Sequence, residues 1–518
     1  MTELVERAAR PTTPERYSGP QLAGGPDGPA ELRRLLDIVL TALVDGGAAR
    51  GGPLPPGDPS ELRREVRSTL GEVLPDEGAG PGVLGPMARM FARGAADLAD
   101  PAWSAHLLCP PLALSVAADV AATALNADLA SWDQTPAGIV LEGEIMAALA
   151  ELVGFDPTAA AGVVTSGGTE SNFMGLLLAR DAVRPRYAGA ASALGPGSGR
   201  LRIFTSRVAH FSIQRNAALL GLGASAVVPV DVDERYRMDP QALRAAMNRS
   251  AAAGDVPLLV VATAGTTDFG SIDPLREIVP IARAHGASVH VDAAYGGGVL
   301  FSDRLSGLLD HIHSVDSLSL DLHKFGWQSV GAGVFLARRA ETFDPLAVRA
   351  AYLNPEDDED AGYTSHLGRS LLTTRRGDVF KIAVTLRALG RSGLGALVET
   401  CCDRARYAAD RVQAEPRLEL VAEPTLSTVV FRYRPTQDDP ANSDRINAGL
   451  RRRLLRSGTA VIGRTDLTGG PGGIRLKFTT LNPRTTEADV RALVDSVIAA
   501  GAAEEEAQRT NPVEPKAN

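Results

Sequence analysis

The sequence predicts an α/β protein built around a largely parallel sheet. Two observations carry this. Between about residues 105 and 338, short β-branched runs bounded by glycine alternate with stretches of helical periodicity. At 518 residues with 44% apolar and 22% charged side chains, the chain is also long and apolar enough for a large core and more than one domain.

The elements follow in order. Residues 1–30 are rich in proline, glycine and charge and read as a disordered tail. Residues 31–46 carry Leu32, Leu35, Leu36, Val39 and Leu40 at helical spacing. A Gly/Pro-rich loop follows, then Ser60 as the N-cap of a helix over 61–70, so 31–104 reads as an N-terminal helical segment. The most apolar long stretch, 111–130, is broken by Asp119, Asn126 and Asp128 and reads as a core helix rather than a membrane span.

The large domain is expected over 105–385. Its strand candidates are 162–165, 201–205, 226–229, 258–262, 288–291, 317–320 and 333–337. Helices are expected between most of them, at 169–183, 212–220, 240–248 and 275–285. Residues 340–370 break the rhythm with an acidic run, Glu356–Asp360, and read as a long loop. After a helix over 378–389 comes a small α+β domain, 386–502, with strands at 427–433 and 474–479. Its closing helix, 486–499, is capped by Thr486 with Glu487 and Asp489 in the first turn. Residues 503–518 read as a disordered polar tail.

Charge and cysteine content narrow the function. A net charge of −9 argues against a nucleic-acid binder. Cys109, Cys401 and Cys402 provide neither a disulfide framework nor zinc-ligand spacing, so no metal is expected. The first 34 residues lack an apolar signal core, which predicts a cytoplasmic protein. Lysine occurs only four times, at 324, 381, 477 and 516, so chemistry that needs a lysine amine has four places to go.

Four segments could carry chemistry. In Gly162-Val-Val-Thr-Ser-Gly-Gly-Thr-Glu-Ser-Asn172 an apolar strand enters a Ser/Gly/Thr turn and then a helix. That turn suits a phosphate, though a plain strand-to-helix turn explains it equally. In His290-Val-Asp-Ala-Ala-Tyr-Gly-Gly, Asp292 ends a strand, where it either caps the next helix or faces a cationic partner such as a protonated heterocycle. In Ser317-Leu-Ser-Leu-Asp-Leu-His-Lys-Phe-Gly-Trp327, Lys324 is either a surface lysine or a poorly solvated nucleophilic amine. His210 precedes a helix, either as its cap or as a ring set over a flat cofactor.

A phosphate cradle, a carboxylate, a lysine and an imidazole are together what pyridoxal phosphate needs. In these blocks, and in Leu-Leu-Thr-Thr-Arg-Arg-Gly-Asp-Val-Phe-Lys at 371–381, residues 100–495 resemble the group II pyridoxal-phosphate-dependent amino-acid decarboxylases. The resemblance implies the aspartate-aminotransferase-like fold and decarboxylation of an L-amino acid to its amine and CO2. It implies Lys324 as the Schiff-base lysine, Asp292 as partner of the ring nitrogen, Ala294 beside the ring and His210 stacked on it. Gly167, Gly168 and Thr169 would hold the phosphate, near which Asp321 stands at a position that is Asn in some members, and His323 would be a further cofactor-binding residue. Tyr352, on a mobile catalytic loop at 340–370, would protonate the substrate α-carbon in a homodimer with its site at the interface; Tyr363 is the lesser candidate. The stretches 105–111 and 124–136 resemble the 2,4-diaminobutyrate and lysine decarboxylase branch, with His106 and Trp132 as substrate-pocket residues. Aromatic, acidic and aliphatic substrates, and a same-fold aldehyde synthase, remain open at this stage.

Overall fold

The computed structural model describes residues 22–183, 200–437, 439–467, 470 and 472–510. Its strands, in chain order, are β1 (Trp103–Ser104), β2 (Ala161–Thr165), β3 (Leu201–Ser206), β4 (Val227–Val230), β5 (Val256–Thr263) and β6 (Ser288–Ala293). They continue with β7 (Ser317–Asp321), β8 (Gly333–Ala337), β9 (Leu418–Leu420), β10 (Thr428–Tyr433), β11 (Val461–Asp466) and β12 (Ile474–Thr479). All seven expected strands of the large domain join one sheet in the order β2-β8-β7-β6-β5-β3-β4. Only β8 runs against its neighbours, pairing antiparallel with both β2 and β7. Strands such as β5 and β8 are covered on both faces, which is why they read as near-continuous apolar runs.

The helices that frame the sheet start with α1 (Gly28–Arg50), α2 (Pro59–Leu70) and α3 (Leu84–Gly94). Then come α4 (Ala113–Ala124), α5 (Pro136–Val153) and α6 (Gly168–Val183). α6 follows β2 directly and lies across β6 and β7, so its first turn opens at the C-terminal ends of those strands. The second sheet, β1-β11-β12-β10-β9, has its own core, in which Phe431, Phe478, Ile446 and Val497 are fully or almost fully buried.

Several expectations need correction. The cap of α2 is Asp58, not Ser60: its carboxylate accepts from Ser60 N while Glu61 returns a bond to Asp58 N, a capping box that Ser60 could not complete one turn later. α1 begins at Gly28, inside the expected tail, and residues 1–21 lie outside the described residues. The apolar stretch 111–130 forms a helix only over Ala113–Ala124. It is no core helix, since Leu114 and Val116 face outward. The loop at 340–370 holds short turns, and its acidic run winds into one helical turn with Glu359 paired to Arg349.

The helix Val379–Ala414 breaks where expected, at Gly390, whose left-handed φ of 64° favours a residue without Cβ. The closing helix runs to Thr510, not to 499: its added turns are Ala/Glu-rich and are tied down by Arg417–Glu505 and Arg453–Glu504 pairs. Residues 511–518 of the expected tail lie outside the described residues. The unexpected strands β1 and β9 have only two and three residues, too short for a periodic signal.

Candidate active site

The first turn of α6, the ends of β5, β6 and β7, and the turn after β7 enclose a cavity of about 430 Å³. Gly167, Gly168, Thr169, His210, Asp292, Ala294, His323 and Lys324 all line it, although 157 positions separate the first from the last. Asn172, Thr263, Thr267 and Asp321 line it too. Tyr352, His106 and Trp132 are not among the lining residues. Tyr352 is 83% exposed on its loop. His106 adjoins lining residue Leu107 at a left-handed φ of 61°, and Trp132 makes an edge contact with Tyr363 at 6.1 Å.

At the α6 end, Gly167, Gly168 and Thr169 line the cavity at a helix start, where the helix dipole favours an anion. Gly168 is needed there for space: a Cβ would stand 2.8 Å from Ala294 Cβ and 3.2 Å from Asp321 Oδ2. Ser166, at the mouth, donates both its N–H and its hydroxyl to Glu170.

Lys324 Nζ lies 2.9 Å from Asp321 Oδ2, and His323 Nε2 lies 3.5 Å from the same oxygen. Burial pushes the His323 imidazole down, against the pull of the Asp321 charge. Asp321 Oδ1, His323 Nδ1 and Thr263 Oγ1 are buried without a hydrogen-bond partner among the described residues.

Asp292 is the most telling group. Its carboxylate is buried and accepts from Asn172 Nδ2 (2.8 Å), Ala294 N (3.2 Å) and Ser319 Oγ (3.3 Å). Among the described residues no cationic side chain pairs with it. His290, behind Asn172, is fully enclosed, and burial pushes its imidazole down to about 4, so it is neutral at pH 7. A buried carboxylate without a counter-charge is costly. A flat group with a ring cation at Asp292, an aldehyde at Lys324 and a phosphate at the α6 turn satisfies this donor and acceptor set. Pyridoxal phosphate is such a group.

The sequence reading did not single out Asn172, Thr263 or Thr267. For Asn172 a signal existed: Gly168, Ser171, Asn172 and Gly175 recur at helical spacing, which gives α6 a small, polar inner face.

Comparison with known proteins agrees with the geometry. Residues 69–434 match the family model described as the pyridoxal-dependent decarboxylase conserved domain. The chain is 41% identical over 431 residues to an L-2,4-diaminobutyrate decarboxylase of Rhizobium meliloti (strain 1021), spanning 82% of this chain and 83% of that one. It is 36% identical over 448 residues to an L-2,4-diaminobutyrate decarboxylase of Acinetobacter baumannii, spanning 84% and 87%. Among solved structures, the glutamate decarboxylase domain of diaminobutyrate-pyruvate transaminase and L-2,4-diaminobutyrate decarboxylase from Vibrio parahaemolyticus superposes with a TM-score of 0.82 at 31% identity, covering 93% of this chain and 98% of that one. A cavity with a lysine, an uncompensated carboxylate and an anion cradle, set in a chain so matched, places this protein in the family of pyridoxal-phosphate-dependent decarboxylases, carboxy-lyases that release CO2 from amino acids.

Proposed function

We propose that the enzyme decarboxylates L-2,4-diaminobutyrate to 1,3-diaminopropane and CO2. The substrate rests on the relatives at 41% and 36% identity, which align over most of their length with this chain. The chemistry rests on one observation above the others: the buried Asp292 carboxylate has no cation of its own among the described residues.

Bound pyridoxal phosphate supplies an aldehyde that links to amines and a protonated ring that accepts the electron pair left when a carboxylate departs. The roles of the chain's own residues follow from this reading. Lys324 would hold the cofactor through its Nζ, Asp292 would hold a proton on the ring nitrogen, Ala294 would leave room beside the ring and His210 would cover one ring face. Gly167, Gly168 and Thr169 would hold the phosphate end, His323 would contact the cofactor, and Asp321 holds the Lys324 ammonium at 2.9 Å.

Tyr352 acts as general acid at the substrate α-carbon, with His106 and Trp132 at the substrate end of the pocket. Tyr352 is exposed and outside the cavity of its own chain, which supports a homodimer in which it serves the partner's site. Closure of the 340–370 loop would exclude water. No helix among the described residues is long and apolar enough to cross a membrane, which fits a cytoplasmic enzyme.

The test is release of CO2 and of the amine from L-2,4-diaminobutyrate, lysine, ornithine, glutamate and aromatic amino acids, each at equal concentration. The highest kcat/KM is expected for diaminobutyrate. A higher value for any other amino acid overturns the substrate; no CO2 from any of them overturns the activity.

A further inference from the structure

The hydrogen bonds behind the cavity have directions that can be worked out one by one. A carboxylate cannot donate, so the Asn172 group 2.8 Å from Asp292 Oδ2 is the amide nitrogen, which leaves Asn172 Oδ1 facing His290 Nε2 at 3.0 Å. An amide oxygen only accepts, so Nε2 carries the proton. A neutral imidazole has one N–H, so His290 Nδ1 accepts from the Ser317 hydroxyl at 2.9 Å. The second hydrogen of Asn172 Nδ2 reaches Ser212 Oγ at 3.2 Å. Ser212 in turn donates to His210 Nδ1 with its hydroxyl (2.9 Å) and with its N–H (3.3 Å), which leaves the His210 proton on Nε2. His290, Ser212 and Ser317 are buried outside the cavity lining, so water does not compete for their bonds, and Asn172 and Asp292 are buried where they line it.

We infer that Asn172 is a positioning residue for the cofactor: one amide hydrogen holds the Asp292 carboxylate, the other holds the His210 ring through Ser212, and His290 fixes the amide from behind. The inference rests on the proposed roles of Asp292 and His210. It goes beyond them in making a residue of α6 set both groups at once. The direction is not reversible. Turning the Asn172 amide over would set its oxygen against the Asp292 carboxylate and its N–H2 against the His290 N–H.

Neutron diffraction from perdeuterated holoenzyme crystals tests the direction of the chain without touching a residue. Deuterium is expected on Nε2 and not on Nδ1 of both His290 and His210; deuterium on Nδ1 of either overturns the inference. Asn172→Asp, nearly the same shape, tests the function. It sets a second carboxyl against Asp292, and the cofactor Kd is expected to rise about tenfold or more, the worth of one charge-assisted hydrogen bond. The visible absorbance of the lysine-bound cofactor should shift its pH dependence with it. An unchanged Kd and an unchanged pH profile overturn the inference. If Asp292→Ala still weakens cofactor binding while Asn172→Asp does not, the role of Asp292 stands and that of Asn172 falls. Should the Asn172 variant not fold, Ser212→Ala gives a second readout: it removes the hydroxyl that accepts from Asn172 and donates to His210 but leaves the backbone N–H on His210 Nδ1, so the cofactor Kd is expected to rise several-fold while both imidazoles keep their proton on Nε2. An unchanged Kd overturns the Ser212 arm.

Discussion

At the scale of single residues, the cavity brings groups together whose charges only make sense with a guest. Lys324 and Asp321 neutralise one another at 2.9 Å, whereas Asp292 has donors but no cation among the described residues. Lys324→Ala is therefore expected to abolish both turnover and the visible absorbance of the lysine-bound cofactor. A variant that kept that absorbance would show the amine to be elsewhere. Glu142 offers a contrast, a buried carboxylate that the chain satisfies fully. It accepts from Val164 N, His366 Nδ1 and both terminal nitrogens of Arg375. Burial alone would raise this carboxyl; the bonds from His366 and Arg375 outweigh it and bring it from 4.5 down to about 2.

A carboxyl lowered on folding contributes stability above its unfolded value near 4.5, and that contribution drains away as pH falls towards 2. Glu142→Gln should cost about 3–5 kcal/mol at pH 7, because Arg375 is left buried without its partner. The variant should also lose less stability than the parent between pH 5 and 3, since the group that titrates there is gone. Urea unfolding at pH 7 and across that range measures both.

At the scale of elements, α6 does more than connect β2 to the rest of the sheet. Its start lines the cavity, and its second turn presents Asn172 and ends at Gly175, which faces His290 of β6. A Cβ on Gly175 would stand 2.7 Å from His290 Nδ1. Gly175→Ala must therefore push either the helix or the imidazole, and the loss of cofactor affinity should exceed the loss of stability. Cofactor titration beside thermal unfolding separates the two; equal and small effects would mean that α6 shifts without disturbing His290. The period of a strand explains why β6 and β7 supply paired polar groups. His290 and Asp292 are two apart and share a face, as do Ser317 and Ser319, and β6 pairs His290 with Ser317 and Asp292 with Ser319. A polar pair at spacing two inside an apolar strand is thus a legible sign of a site. The contacts of that pair are not legible, because Asn172 and Ser212 reach it from other elements.

At the scale of the whole molecule, the single chain is an incomplete enzyme under the proposed reading. Tyr352 is far from covered, and Leu125, Phe211 and Leu219 are exposed apolar side chains, Phe211 following His210 directly. Light scattering is expected to give twice the chain mass of 54.2 kDa. Mixing Lys324→Ala and Tyr352→Phe subunits should restore activity that neither homodimer has, since one of the two mixed sites keeps both groups. No recovery on mixing would mean that each chain uses its own tyrosine.

Much of this was open to reading along the chain, and the boundary has a physical cause. Strand runs and helix periods are local properties, carried by neighbours within a few residues, and so the strands of the central sheet could be named in advance; eight residues of the cavity lining were named from short sequence blocks and from the family resemblance those blocks carry. Caps and ends were less secure: Asp58 displaced Ser60 because a reciprocal bond to Glu61 outweighs a lone hydroxyl, and the last helix ran on because Arg417 and Arg453 hold it. What required the folded chain was proximity and burial. Residues 172, 212, 290 and 317 are far apart in sequence, and their polarity is ordinary until the fold excludes water from them. Desolvation then pushes the His290 imidazole towards its neutral form, the Asp292 carboxylate sets the direction of the hydrogen bonds that run to it through Asn172, and the same carboxylate is left in want of a cation.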